Sequence, residues 1–437
     1  MQYIPNILFL IILVLGVGYF SLNIKKLIRN IKLGRAVDAS DHKSERWRNM
    51  ARIALGQSKM VKRPIAGFLH IVVYVGFIII NIEVLEIIID GLFGTHRIGL
   101  KVLPESVYGF LIGSFEILAV LVLVSVVIFW LRRNVIKLKR FLSSEMKGWP
   151  KSDGNIILYF EVVLMCLFLV MNATDTTFQN LGHGNVISQF IAPWFGDNPD
   201  TLHIIERTAW WLHIVGILIF LNYLYFSKHL HILLAFPNTY FGSVEPKGKF
   251  NNLEAVTNEV KLMMDPNADP FAAAPEGAED EEPAKFGASD VMDLNQIQLL
   301  NAYTCTECGR CTSACPANLT GKKLSPRKIM MDTRDRLEEV GKNIDANGGE
   351  FKDDGKQLLG DYITNEELWA CTTCNACVEE CPVSINPLSI ILEMRRYLVM
   401  EQSAAPMELN NMMTNIENNG APWPYNQMDR LNWANED

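Results

Sequence analysis

Five apolar runs, at residues 3–24, 66–89, 106–131, 155–173 and 206–230, constrain this chain more than any other feature. Each is near twenty residues or longer and almost free of charge, enough to cross a hydrocarbon core about 30 Å thick as an α-helix. Buried helices of a soluble domain would not need five such runs. The first run has no basic segment before it and no A-x-A cleavage site. It therefore reads as a retained span, with "KKLIRNIKLGR" after it as a stop on the cytoplasmic side.

The basic residues set the expected orientation. Residues 25–63 are dense in Lys and Arg, starting with Lys25, Lys26, Arg29, Lys32 and Arg35, and so are residues 132–151. The loops at 90–105 and 174–205 have few. This bias places the N-terminus outside and the long C-terminal tail in the cytoplasm of a bacterial inner membrane. The net charge of −8 does not conflict with it, because the acidic residues cluster in the tail and count little for topology. No nucleic-acid partner is expected.

The 437 residues leave room for more than a membrane domain. We expect an all-α chain: a five-helix transmembrane bundle followed by a cytoplasmic α-helical ferredoxin domain. The expected boundaries are 1–235 for the bundle, 236–289 for a linker, 290–402 for the ferredoxin domain and 403–437 for a polar extension. Within the linker, "DPNADPFAAAPEGAEDEEPAKFGA" is too polar and Pro-rich to pack. Before it, "NNLEAVTNEVKLMM" reads as a short amphipathic helix, and between the cysteine runs "RDRLEEVGKNI" also reads as helix. The extension, with turn signals in "NNGAPWPYN", reads as loop.

Eight of the nine cysteines lie in two copies of one pattern, "CTECGRCTSACP" and "CTTCNACVEECP", each C-x2-C-x2-C-x3-C-P. Disulfides do not suit a domain facing a reducing cytoplasm. Zinc favours two separated C-x2-C pairs over three closely spaced thiolates. The spacing is that of two-cluster ferredoxins, in which the fourth cysteine of each run serves the other cluster. One [4Fe-4S] cluster is then expected on Cys305, Cys308, Cys311 and Cys381, and a second on Cys371, Cys374, Cys377 and Cys315. Pro316 and Pro382 fix φ and turn the chain away from the cluster. Cys166, alone in the fourth run, reads as a small apolar filler.

Low-spin haem b needs an imidazole on each face of its iron, supplied in a bundle by facing helices. On one continuous helix, His213 and His231 would share a face, about 27 Å apart along the axis. His229 would point elsewhere. His70 in "GFLHIVVYVGF" lies near the inner end of the second run and is the expected partner of His231. The corresponding partner of His213 would fall at Ile80 or Asn81, neither a haem ligand. One haem is therefore expected, and a second only if His96, His183 or His203 reaches inward from the outer loops.

At these residues the chain resembles a known family. "WWLHIVGILIFLNYLYFSKHLH" is similar to the last span of nitrate reductase gamma-type cytochrome b domains, including a Ser-Lys-x-x-His signature at Ser227, Lys228 and His231. "CTECGRCTSACPANLTGKKLSPRKI" and "ELWACTTCNACVEECPV" resemble the ferredoxin part of membrane-bound heterodisulfide reductase-like iron–sulfur oxidoreductases. The resemblance implies electron exchange with menaquinone, an inner haem on His70 and His231, and His213 on one side of an outer haem. Ile80 and Asn81 depart from the dihaem pattern. Many relatives continue into cysteine-rich CCG modules that carry the substrate chemistry. None follows before Asp437, so a separate CCG-type or flavin-containing protein is the expected partner, docked on the extension.

Intramembrane carboxylates count as functional candidates. Glu83, Glu86, Glu116 and Glu161 could accept protons from a quinol or pair with Arg97 or Arg207, but the first reading of each is a carboxylate snorkelling or hydrogen-bonded inside the bundle. The leading expectation is an electron-transfer subunit between the quinone pool and a soluble partner. The alternatives are a complete quinone-linked oxidoreductase, for which no nucleotide loop, flavin motif or nucleophile is visible, and a redox sensor or scaffold, for which no output domain is visible.

Overall fold

The computed structural model describes residues 3–246, 248–266 and 285–435. It is all-α, with no strand among the described residues. Five helices are long and apolar enough to cross a membrane: α1 (Ile4–Lys32), α2 (Pro64–Phe93), α3 (Glu105–Asn134), α4 (Trp149–Thr174) and α5 (Pro199–Leu224). Proline sits in the first turn of α1, α2, α4 and α5, where its missing N–H costs nothing. Asn198 caps α5 by accepting from the Asp200 and Thr201 amides. Each helix packs on the next, and α1 packs on α5, so the five close into a ring. Gly76 permits the close approach of α2 and α3: a Cβ there would stand 2.4 Å from Val122.

The expectation of one continuous fifth span to residue 230 is corrected. Helix α5 ends at Leu224, and Ser227, in extended conformation, accepts from the His229 amide and opens a single turn at Lys228–Leu230. A new helix, α6 (His231–Tyr240), follows. The hydroxyl and amide chemistry of Ser227 competes with the helix, as Ser does at caps.

The tail is helical too. α7 (Glu254–Met264) is the expected amphipathic helix. The acidic Ala/Pro-rich stretch expected as linker falls largely on 267–284, outside the described residues. Beyond it come α8 (Gln296–Thr304), α9 (Arg310–Ala314), α10 (Pro326–Ala346), α11 (Ala376–Glu380) and α12 (Pro387–Met400). The extension is not the expected loop. It forms α13 (Met407–Asn419) and a 3-10 turn at Gln427–Ala434, with Met407, Trp423, Met428 and Trp433 exposed.

The tail packs on the end of the bundle that carries the basic loops. Lys26 and Arg29 meet Asp345, Lys62 meets Glu379 and Arg63 meets Glu380. Buried bonds complete the contact: Asn30 to the Tyr303 hydroxyl at 3.0 Å, and Asn238 to the Val383 carbonyl at 2.8 Å. Gly341 of α10 lies against Asn30, where a Cβ would stand 2.5 Å from its amide nitrogen.

Inside the tail, Arg336 is fully buried and pairs with Asp290 at 2.8 Å and Asp354 at 2.6 Å. We expect Arg336→Ala to cost about 3–5 kcal/mol, since it strands two carboxylates. Denaturant unfolding of the purified chain, followed by tryptophan fluorescence, measures this; a loss under about 0.5 kcal/mol would refute it.

Candidate electron-transfer site

Both cysteine runs share one backbone design. The third and fifth residues of each, Glu307 and Gly309 in the first and Thr373 and Asn375 in the second, adopt left-handed conformations (φ 54°, 72°, 55° and 59°). For the three non-glycine residues this costs about 1–2 kcal/mol each, and it turns backbone amides toward sulfur, as the Thr373 N–H does toward Cys371 Sγ at 3.4 Å. Helices α9 and α11 then carry the third cysteine of each run. After them the chain extends again at Cys315 and Cys381.

Helices α9 and α11 pack side by side. As a result one cavity is lined by Cys305, Cys308, Cys311 and Cys381, and a second by Cys315, Cys371, Cys374 and Cys377. Each thus brings three cysteines of one run together with the fourth of the other. Cys377 also reaches the first cavity, so the two are neighbours. Burial pushes the Cys305 thiol up to about 12, the Cys377 thiol up to about 12 and the Cys381 thiol up to about 11. Burial and the adjacent Cys308, Cys305 and Cys381 push Cys311 well above its usual value. Such crowded thiols ionise together only around a strongly positive centre, the chemistry an iron–sulfur core provides. Arg327, wholly buried in the lining of the first cavity, has an Nε–H with no partner. Both observations fit a bound cubane. Cys166 stands apart from both sets, exposed on α4.

The first cavity faces the bundle. Glu307, between Cys305 and Cys308, is buried and held by Lys228 from the bundle and by Arg334 at 2.9 Å from its own domain. Burial alone would raise this carboxyl; the two cations outweigh it and keep it below the usual carboxylate range. Asp153 of α4 fixes Lys228 in turn, accepting from its backbone N–H at 3.2 Å and from the Ser227 hydroxyl at 2.7 Å. The Lys228 carbonyl lies 3.0 Å from His231 Nδ1. One lysine therefore touches both the cysteine loop and a candidate haem ligand.

The rings of His70 and His231 have centroids 6.5 Å apart. The His70 Nδ1 is buried without a partner, and the His231 bond to Lys228 leaves Nε2 for a ligand. The break at residues 225–230 overturns the shared-face argument for His213 and His231. It also re-aims His229, whose ring stands 5.5 Å from that of His231 and near Glu161. His213 is buried against Phe168, its Nδ1 unpartnered. The outer-loop histidines are placed otherwise: His96 meets Asp175, His183 bonds the Glu105 carbonyl, and His203 is exposed on α5.

Among the carboxylates, Glu86 accepts from the Tyr108 hydroxyl, which Arg97 also reaches. Arg97 binds Asp175 at 2.5 Å and Asn172 at 2.8 Å, and Asn172 donates to Glu116. Arg207 pairs with Glu206. Glu83 is buried with one oxygen unpartnered. Sequence reasoning named Arg97 and the glutamates but missed Tyr108, Asn172 and Asp175. It also missed Glu307 and Asp153, ordinary residues whose burial no local pattern signals.

The 4Fe-4S dicluster domain family matches residues 304–385. A probable iron-sulfur-binding oxidoreductase of Bacillus subtilis is 30% identical over 98% of this chain and 61% of its own length. The EtfAB:quinone oxidoreductase of Syntrophomonas wolfei is 26% identical over 88% of this chain and 53% of its own. A probable membrane-anchored ferredoxin of Chromohalobacter salexigens is 33% identical over 36% of this chain and 25% of its own. The chain thus spans about three fifths of the first relative's length and about half of the second's. No solved structure matches it. The chain is thus similar to iron–sulfur oxidoreductases over most of its length, and its residues 304–385, behind five candidate membrane helices, match the 4Fe-4S dicluster domain family.

Proposed function

We propose that this chain is a membrane electron-transfer subunit linking a quinone pool to a soluble redox partner through haem b and two [4Fe-4S] clusters. The observation that carries the reading is the contact just described, in which Lys228 bridges the first cysteine set and the histidine pair. The name of the Syntrophomonas wolfei relative pairs EtfAB with a quinone. Menaquinone, the cytoplasmic location of the tail and a CCG-type or flavin-containing partner belong to the same proposal.

Cys305, Cys308, Cys311 and Cys381 would hold one cluster, and Cys371, Cys374, Cys377 and Cys315 the other. His70 and His231 would hold the haem. Two imidazoles on one metal, each bonded at about 2 Å, set their ring centroids about 6–7 Å apart, and the observed 6.5 Å fits. When bound, these groups supply one-electron transfer. The protein's part is to fix the ligands and exclude water. Lys228 and Asp153 hold the His231 segment, the left-handed residues aim the cysteine loops, and Glu307 locks the first loop to the bundle. His213 has no imidazole opposite and does not fit a second bis-histidine haem. Cys374 is the exposed ligand, and the partner would dock over it, with the exposed aromatic residues of the extension at hand.

Two experiments test this. The purified chain should contain about eight irons and eight sulfides. In EPR of the reduced Cys381→Ser variant, the signal changed should be that of the cluster on Cys305, Cys308 and Cys311; loss of the other signal alone would refute the crossed ligation. The pyridine haemochrome assay should give about one haem per chain. His70→Ala and His231→Ala should each abolish the same b-type absorbance, with His213→Ala leaving it. A haem content near two with half lost in His213→Ala would reveal a second site. A content near zero would remove haem from the proposal.

A further inference from the structure

The two cysteine sets sit in unlike electrostatic surroundings. Around the first, Arg327 and Arg140 stand against Gly309, between Cys308 and Cys311: a Cβ on Gly309 would lie 2.6 Å from Arg327 Nη1 and 3.4 Å from Arg140 Cβ. Arg140, against the residue that follows Cys308, has an Nε–H buried without a partner. Arg310, itself buried, donates to the Lys59 and Met60 carbonyls, so its charge is not cancelled there. Lys59 bonds the Val378 carbonyl and Ser384 Oγ at 3.2 Å each, beside Cys381. Lys228 and Arg334 share Glu307 and are answered further by Asp153 and Asp335, so this group adds no net positive charge. Glu145 answers Arg327 at 2.7 Å, which leaves Arg140 and Arg310 as the cations here that no carboxylate meets among the described residues.

The second cavity differs. Besides its cysteines it is lined by Leu324, Pro326, Thr372, Asn375, Leu388 and Ile391, with no charged side chain in the lining among the described residues. Arg395 lies nearby and, like Arg310, donates to backbone carbonyls, of Leu368 and Cys371, so it too keeps its charge: one cation here against two at the first set.

We propose that the cations around Cys305, Cys308, Cys311 and Cys381 give this set the higher reduction potential, so that an electron shared by the two sets rests on the one against the bundle. The inference depends on the functional reading above and adds an ordering of the two sets to it. A reduced cubane carries one more negative charge than an oxidised one, and fixed positive charge in a water-poor site favours it strongly. Solvent at Cys374 favours reduction of the second set, but it reaches one exposed ligand, against the buried Arg310 and half-buried Arg140 at the first. Of these two cations, Arg140 comes from the bundle, on the connection between α3 and α4. The bundle therefore tunes the cluster it holds.

EPR-monitored redox titration of the full chain with its clusters tests the proposal. The wild type should show two separate midpoints. Arg140→Gln should lower the higher midpoint and leave the lower in place, and Arg395→Gln should do the reverse. Arg310→Gln gives a second reading of the first set if Arg140→Gln does not yield folded protein. Coincident wild-type midpoints, or a fall of the lower midpoint in Arg140→Gln or Arg310→Gln, would overturn the ordering and leave the electron-transfer reading standing. Fewer than two cubanes in the wild type would overturn both.

Discussion

The pairing of Glu307 with Lys228 is the contact on which the arrangement depends. Its carboxylate lies inside a cysteine loop and its ammonium at the foot of the fifth membrane helix. Two buried charges are costly to bring out of water, and they hold only with further bonds. Here Arg334 completes the shell of Glu307, and Asp153 and the Pro150 carbonyl complete that of Lys228, with the Ser227 hydroxyl donating to Asp153. The gain is as much in geometry as in energy. The charges fix the cysteine loop, the helix break and the His231 ring in one frame.

A second polar frame stands at the other end of the bundle. Arg97 folds inward from the loop between α2 and α3 and joins Asp175, Tyr108 and Asn172. Glu116 then accepts from Asn172 and from the Ile187 and Ser188 amides, which ties the long loop between α4 and α5 to the middle of α3. Within a bundle, groups of this kind have no water to fall back on, so each is bonded to another. These intramembrane candidates are thus in part the scaffold of the loops at that end.

What the sequence made legible follows from what has a local signature. The five spans show because twenty apolar residues are hard to place elsewhere. The cysteine sets show because the chain must curl tightly around each loop, which fixes the spacing. The pairing of His70 with His231 was legible from depth alone. The face shared by His213 and His231 was not, because the rule of 100° per residue holds only along an unbroken helix, and Ser227 breaks this one. A Ser two residues before a His is a weak signal when the run around it stays apolar. Glu307, Asp153 and Arg327 were illegible for a different reason: their roles come from partners more than 70 residues away in sequence.

The basic loops meet the tail's carboxylates at one surface, and the order of synthesis gives this a consequence. Lys26, Arg29, Lys62 and Arg63 emerge well before Asp345, Glu379 and Glu380 exist. While the spans are being inserted, these charges have no partner from the tail and act in full on the choice of orientation. Their neutralisation waits for the later domain to fold, since domains fold as units in order of synthesis. A chain in which one of the later spans failed to cross would leave its tail on the far side of the bundle from those cations. Docking would then fail for want of counter-charge, which makes the interface a check on topology after insertion is complete.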